Sequence, residues 1–402
     1  MSTTTGDASE ITVCRDAANG ETHVNLLLDG RKVSWLSIIP FTLQIGAATV
    51  RMDGIGGVGT DAKHRNRGYS RRVLEAAVAH MRCGDGALSM LYGIRDFYSK
   101  FGFATAGPDY LVILHELERD NVLPTGWSVR DFVASDLPAI QALYAHGAAQ
   151  SVGTAVRPAK GGVVWSHLAG EAEGDEPDAC RVVEGPDRTV HGYVWRARWC
   201  WYVKHKLETD FREALVLGEV AADGPIAADA VLAACRQWAQ AEGAHRKVKQ
   251  IVLAFPPEGA LSAAAMRQDA RFVQNYSASG DSMARVLDVA RLLRSLAPEL
   301  HARLQAFQSE FVGALIFETE IGASTLHIAR DAITVEDGDG KRAGDTLRVV
   351  LPQTELARLT LGAFPPDDIL SRLPQSPAAE AATLLRLLFP ISLPHMSLPD
   401  RY

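Results

Sequence analysis

The stretch that most constrains this chain runs from Ile55 to Cys83. It opens with a glycine-rich apolar run, Ile55-Gly-Gly-Val-Gly-Thr60, and continues through a basic turn containing Arg65, Asn66, Arg67 and Gly68. An amphipathic segment follows, with Val73, Leu74, Ala77, Val78 and Met81 on one face and Gly84 as its stop. The order predicts strand, loop, helix. The start of such a helix offers unpaired backbone N–H groups and the positive end of a dipole, which suits an anion. Arg65 and Arg67 add positive charge, and Gly68 lets the backbone approach a phosphate closely. No Gly-Lys-Ser/Thr follows and the three-glycine dinucleotide spacing is absent, which excludes both common phosphate motifs. On this stretch alone, the basic start of an ordinary surface helix is an equal reading.

A second strand is expected at Ala87–Tyr92, then a short aromatic turn, Phe97-Tyr98-Ser-Lys-Phe101-Gly-Phe103, then a strand from Tyr110 to Leu117. Before the glycine run, strands are expected at Thr22–Leu28, Val33–Ile38 and Phe41–Met52, broken at Asp29-Gly30 and Pro40. Trp35 and Phe41 are candidates to line an acceptor pocket. The competing reading, aromatic packing in a twisted sheet, is the more common one.

The chain has 402 residues, which implies two or three domains. It is 47% hydrophobic and 22% charged, with a formal net charge of −7, so a large nucleic-acid surface is not expected. The five scattered cysteines form no C-x-x-C pair or Cys/His cluster, which points to no metal and to a reducing, cytoplasmic setting. Residues 1–10 are polar and expected to fray, without a signal pattern. No apolar run approaches a membrane span.

Three domains are expected, at 1–122, 123–284 and 285–402. The second has strands at 180–184, 190–201 and 214–221, a helix over 228–242 and a strand at 248–255, repeating the order of the first. Its loop, Val220-Ala-Ala-Asp-Gly-Pro225, has no basic residue. Trp195-Arg-Ala-Arg-Trp199-Cys-Trp201 reads either as an aromatic and basic stacking surface or as a buried strand with its tryptophans on one face, the favoured reading. In the third, a long helix is expected from about Val286 past Pro298 to Phe307, then four short strands and three helices. The Asp337-Gly-Asp-Gly340 run reads as a hairpin turn, because it lacks calcium-loop spacing. The fold class is thus mixed α/β and α+β.

Arg65-x-x-Gly68-x-Ser70, followed by Phe97-Tyr98-x-x-Phe101-Gly-Phe103, resembles the two halves of the acetyl-CoA site of GNAT-type N-acetyltransferases. Ser70 stands where that pattern usually has Gly or Ala. Taken over nearly the whole chain, with Met283-Ala-Arg-Val-Leu-Asp288-Val and the apolar tail ending at Tyr402, the sequence resembles the Eis (enhanced intracellular survival) family. That resemblance implies two tandem GNAT-like domains, the second degenerate, and a sterol-carrier-like third domain. It implies acetyl-CoA as donor, a small cationic amine as acceptor (aminoglycoside-like or polyamine), and a homohexamer. A protein or peptide lysine acceptor, or a non-catalytic acetyl-CoA- or lipid-binding role, are the alternatives.

The resemblance also implies residue roles. Val58, Gly59 and Thr60 line the thioester and pantetheine arm. Arg65, Asn66, Arg67, Gly68, Tyr69 and Ser70 hold the pyrophosphate. Tyr98 is the general acid, since a Tyr with pKa about 10 holds its proton at neutral pH; a packing role between Phe97 and Phe101 competes. The α-carboxylate of Tyr402 is the base. An unperturbed terminal carboxyl titrates at about pH 3.5, so that role needs burial or consists mainly of positioning the amine.

Overall fold

The computed structural model describes residues 9–115, 117, 121–149, 151–159, 162–171, 179–340 and 346–402. The stretch expected to fray lies, up to residue 8, outside the described residues. The chain forms two compact units. One holds Met1–Gly107, Ser277–Ser392 and Tyr402; the other holds Pro108–Tyr276 and Leu393–Arg401. No helix among the described residues is long and apolar enough to cross a membrane.

The first unit begins with an antiparallel meander, β1 (Ser9–Arg15), β2 (Thr22–Leu28), β3 (Arg31–Ile45) and β4 (Ala48–Thr60). The strand expected at Phe41–Met52 is instead a hairpin turning at Gly46, which takes a left-handed φ of 56°. Apolar residues alternate on both sides of that turn, Phe41, Leu43 and Ile45 before it and Ala48, Val50 and Met52 after it, and the only mark of the turn is a change of phase at Gly46-Ala47. Pro40 sits within β3, past Ile38 where the ladder to β2 ends, so its missing N–H removes no bond from that ladder. Helix α1 (Tyr69–Cys83) follows, then β5 (Leu88–Gly93), parallel to β4. Val73, Leu74, Ala77 and Met81 of α1 pack with Val24, Leu26, Leu36 and Ile38 of the sheet.

The neighbour of β5 on its other side comes from far along the chain. Asp281–Val286 pairs antiparallel with it, from Gly93 to Leu88. The strand expected at Tyr110–Leu117 runs over Asp109–Leu114 and lies in the sheet of the second unit, between Gln250–Leu253 and Arg271–Asn275. Both strands are short, and their sequences carry no signal of which sheet they complete. The helix expected from Val286 starts at Val289, where the Asp288 side chain caps it by accepting from Arg291 N–H at 2.8 Å, and runs through Pro298 to Ala306.

Still in the first unit, Gly313–Thr319, Gly322–Ile328, Ile333–Asp337 and Thr346–Val350 form one sheet. Ile333–Asp337 and Thr346–Val350 lie at its opposite edges, so the Asp337–Gly340 run is no hairpin; the last strand runs parallel to Gly313–Thr319. Helices Gln353–Leu361, Pro366–Ser371 and Ala379–Leu388 follow.

In the second unit, Ser128–Asp131, Cys180–Glu184, Val190–Trp195 and Glu219–Ala222 form an antiparallel sheet. Ala214–Val216 runs parallel to Gln250–Val252, and the helix Pro225–Gly243 connects the two runs. Its alanines pack closely on Val183, Val194, Leu215 and Ile251. The strand order of the first unit therefore recurs. The tryptophan run departs from a single strand: the ladder stops at Trp195, Ala197 takes a left-handed φ of 53°, and Trp201 is 66% exposed.

One buried side chain ties the C-terminal helices of the first unit to its main sheet. Gln353, 1% exposed, accepts from Val286 N–H at 2.7 Å and donates to Gly102 O at 2.7 Å. Gln353→Ala is expected to lower the unfolding free energy by about 2–4 kcal/mol, from two unpaired backbone groups and a cavity. Urea denaturation measures it.

Candidate active site

The ladder between β4 and β5 is short. It joins Met52 to Leu88, Asp53 to Ser89 and Gly54 to Met90, and stops there. Past that point β4 stays paired with β3 as far as Thr60, and β5 stays paired with Asp281–Val286 as far as Gly93. The two parallel strands part, each held by its outer neighbour. Their facing edges present backbone N–H and C=O groups, which an extended ligand with amides of its own can pair.

The β4 edge is further shaped by a bulge. Ser37 faces Gly56 and Trp35 faces Gly59, so Gly57 and Val58 together oppose Leu36. Gly57 takes φ 58°, the conformation that suits glycine at such a bulge. The Trp35 indole crosses Gly59 so closely that a Cβ there would lie 2.6 Å from it. Trp35 therefore covers the Val58–Thr60 segment. The Lys32 ammonium stands 5.2 Å from the indole centre.

A chain of hydroxyls then fixes the end of β4 against the start of α1. Thr60 Oγ1 is 2.8 Å from Ser34 Oγ and 2.8 Å from Ser70 Oγ, and Ser34 donates to Gly59 O at 3.0 Å. Ser70 thus has a structural partner, which accounts for a hydroxyl where the motif usually has none. Between them, Asn66 and Gly68 adopt left-handed φ values of 60° and 78°. Gly68 heads α1 with no side-chain cap, so the first N–H groups of the helix remain for a ligand. Arg65 and Arg67 are exposed, and neither meets a carboxylate among the described residues; Arg65 Nε reaches Thr60 O at 3.4 Å. Tyr69 differs: its side chain is buried in the core, with the His64 ring 6.3 Å from its own. Exposed cations, open helix N–H groups and a left-handed glycine together fit a pyrophosphate.

The β5 side carries the tyrosines. Tyr98 begins the short turn Tyr98–Phe101 and is 8% exposed. Its ring lies on Gly93, where a Cβ would come within 2.4 Å of it, and stands edge-on to Phe97 at 4.9 Å. Its hydroxyl has no hydrogen-bond partner among the described residues, and burial raises its pKa above the ordinary value, so it keeps its proton.

Tyr402 lies where the strands part. Its hydroxyl donates to Met90 O at 2.9 Å, the carbonyl at the last step of the ladder. Its ring covers Gly54 and Gly56, whose missing Cβ atoms leave the space, and its own Cβ is 3.4 Å from where a Cβ of Gly56 would be. Phe41 is 5.0 Å and Tyr92 6.2 Å from it, ring to ring. Phe41 thus joins Tyr402, and Trp35 covers the bulge side. Burial holds the Tyr402 phenol well above its ordinary pKa.

Sequence reasoning did not single out Gly54, Met90 or Asp53. Asp53 alternates to the other face of β4, where its carboxylate fills the space beside Gly86. Burial, then the Asp85 carboxylate, pushes it up to about 6. A lone Asp before a glycine gives no signal of this in the sequence.

Gly54→Ala would set a Cβ 2.4 Å from the Tyr402 ring. The expected cost is about 1–3 kcal/mol of stability. In a chain lacking Tyr402 the same substitution is expected to cost about 0.5 kcal/mol or less, a coupling that a double-mutant cycle by denaturation reads directly.

Residues 9–106 match the family model described as Acetyltransferase (GNAT) domain. No curated protein matches the sequence. Among solved structures, the fold is similar to a GCN5-related N-acetyltransferase from Anabaena variabilis, with TM-score 0.70, 18% identity, and 94% of this chain and 89% of that chain covered. It is similar to a probable N-acyltransferase from Enterococcus faecalis, with TM-score 0.71, 17% identity, and 95% and 89% covered. It is also similar to Eis1 from Mycobacterium abscessus, with TM-score 0.61, 15% identity, and 94% and 90% covered. At these identities the likeness is one of fold. Residues 9–106 thus form an acetyltransferase domain of the GNAT type, whose implied co-substrate is acetyl-CoA.

Proposed function

We propose that this chain is an N-acetyltransferase acting on a primary amine of a small cationic acceptor, aminoglycoside-like or a polyamine. The observation that carries the reading is the parting of β4 and β5 after Gly54 and Met90, with the bulge at Gly57, the open start of α1, a buried Tyr98 and a half-buried Tyr402 around it. The finer placing in the Eis group, with residues 285–402 sterol-carrier-like and the chain a homohexamer, belongs to the same proposal and rests on the sequence motifs.

Acetyl-CoA supplies the acetyl thioester. Backbone groups of Val58, Gly59 and Thr60 hold its arm, and the Arg65–Ser70 loop holds its pyrophosphate. Trp35, Phe41, Tyr92 and Tyr402 give the site aromatic faces, which attract a cationic acceptor by about 0.5–2 kcal/mol per contact. Tyr98 holds a proton at its phenolic oxygen, available to the departing thiolate. The Tyr402 α-carboxylate orients the amine and takes up its proton.

Thiol release from acetyl-CoA is measured against aminoglycosides, polyamines and lysine peptides. Tyr98→Phe is expected to lower kcat by about 10²–10³ with little change in KM for acetyl-CoA. Arg65→Ala with Arg67→Ala is expected to raise that KM by about tenfold or more and to spare kcat. Acetyl-CoA binding without amine-dependent release from any acceptor would contradict the reading.

A further inference from the structure

In the second unit, the helix Pro225–Gly243 ends in a basic run, His245-Arg-Lys-Val-Lys249. Cations behind a helix C-terminus are ordinary, since they meet its last carbonyls. Arg181 has no such reason to be where it is. It lies in the strand Cys180–Glu184, two residues before Val183, on the strand face that packs against this helix. Its guanidinium stands 4.5 Å from the centre of the Trp238 ring. Arg181, Trp238, Ala241, Glu242, His245 and Arg246 line an open pocket of about 460 Å³. Small-molecule sites commonly measure about 300–1,000 Å³.

The charges in this pocket are unequally satisfied. Glu242 accepts from Arg196 Nη1 at 2.8 Å and from Arg246 Nε at 2.8 Å. Burial pushes its carboxyl up, but the two arginines outweigh burial and hold it below its ordinary pKa. Arg246 gives a second donor, Nη2, to Ala214 O at 3.0 Å. Arg181 differs. Its guanidinium makes no hydrogen bond among the described residues. The carboxylate it meets, Asp131, is 3.7 Å away on a side chain that is 90% exposed. The His245 ring is exposed and also has no partner among the described residues. An apolar side chain would cover Trp238 as well as Arg181 does. A guanidinium adds five N–H donors, held in place by the indole beneath it and unused within the described chain. The lining has two arginines and one glutamate, in a chain whose formal net charge is −7.

We propose that this pocket of the second unit binds a small organic anion, a phosphate or carboxylate carried on an apolar body. The anionic group sits on Arg181 and His245, because their donors are the unspent ones and a guanidinium pairs with either group through two parallel bonds. The body lies against Trp238 and Ala241. Arg246 and Glu242, already bonded to each other, form a fixed wall. The inference involves residues of the second unit alone and does not rest on the acetyl-transfer reading.

The test is isothermal titration of the full chain at low ionic strength with three probes: phenyl phosphate, benzoate and the neutral benzyl alcohol. The parent protein carries Arg65→Ala and Arg67→Ala, so that the basic loop of the first unit does not compete for the anions. Arg181→Gln and His245→Ala remove the proposed donors. Arg198→Gln removes a cation that pairs with Glu208 and does not line the pocket, and so controls for charge alone. At least one anion is expected to bind with Kd on the order of 0.1–1 mM, and more weakly as salt is added. Arg181→Gln is expected to weaken it about tenfold or more and His245→Ala about threefold, with Arg198→Gln within about twofold of the parent. Tighter phenyl phosphate assigns a phosphate ligand, and tighter benzoate a carboxylate. No saturable heat with either anion, benzyl alcohol binding as tightly as the anions, or equal affinity in Arg181→Gln and the parent would overturn the site. An equal loss in Arg198→Gln and Arg181→Gln would do the same. Should Arg181→Gln not fold, His245→Ala, at an exposed position, decides: unchanged affinity overturns the proposal.

Discussion

The structure of the first unit depends on a ladder that ends early. β4 and β5 are bonded for three steps and then separate, because each has a stronger claim from its other neighbour. A parallel pair joined by a helix has no hairpin to hold its ends together. The open edges that result normally invite aggregation or pairing with another chain. Here they lie between a glycine-rich strand and a tyrosine-bearing one. The bulge at Gly57 turns the β4 edge, and the Thr60–Ser70 hydroxyl contact holds the start of α1 beside it. The same parting thus provides backbone groups for an extended ligand and a helix N-terminus for its anionic end.

Glycine has a different task at each position around this parting. Gly57 and Gly68 provide left-handed backbone. Gly54 and Gly56 provide room for the Tyr402 ring, and Gly93 provides room for Tyr98. Three small residues therefore seat two large ones, and the two tyrosines come to rest at opposite sides of β5's end, on Gly93 and beside Tyr92. The second unit repeats the strand order, but its loop has no basic residue, and Leu398 of the tail joins the core cluster that holds Val216 and Val252.

Much of this was legible in the sequence for a physical reason: the interactions are local. The strand, loop and helix from Ile55 to Cys83 are specified by glycines, arginines and helical periodicity within thirty residues, and the structure has them with α1 at Tyr69–Cys83. What could not be read are pairings between distant segments. Asp281–Val286 and Asp109–Leu114 are both short, and only three-dimensional packing decides which sheet each completes. The same holds for the tail. Its prolines and apolar residues mark it as extended, but nothing in Asp400-Arg401-Tyr402 announces counter-charges at Arg157 and Asp109 or a bed of glycines at Gly54 and Gly56. Alternation misled at Gly46, where the turn shows only as a change of phase, and after Trp195, where the left-handed Ala197 ends the strand and leaves Trp201 exposed.

The central claim is that the parted edges of β4 and β5 are the acetyl-CoA slot. A crystal structure with coenzyme A bound tests it most directly. The account predicts pantetheine amides bonded to the backbone of Gly56–Thr60, the sulfur near Tyr98, and the pyrophosphate on the N–H groups of Gly68–Ser70. Coenzyme A seated elsewhere, with the β4 and β5 edges untouched, would contradict it.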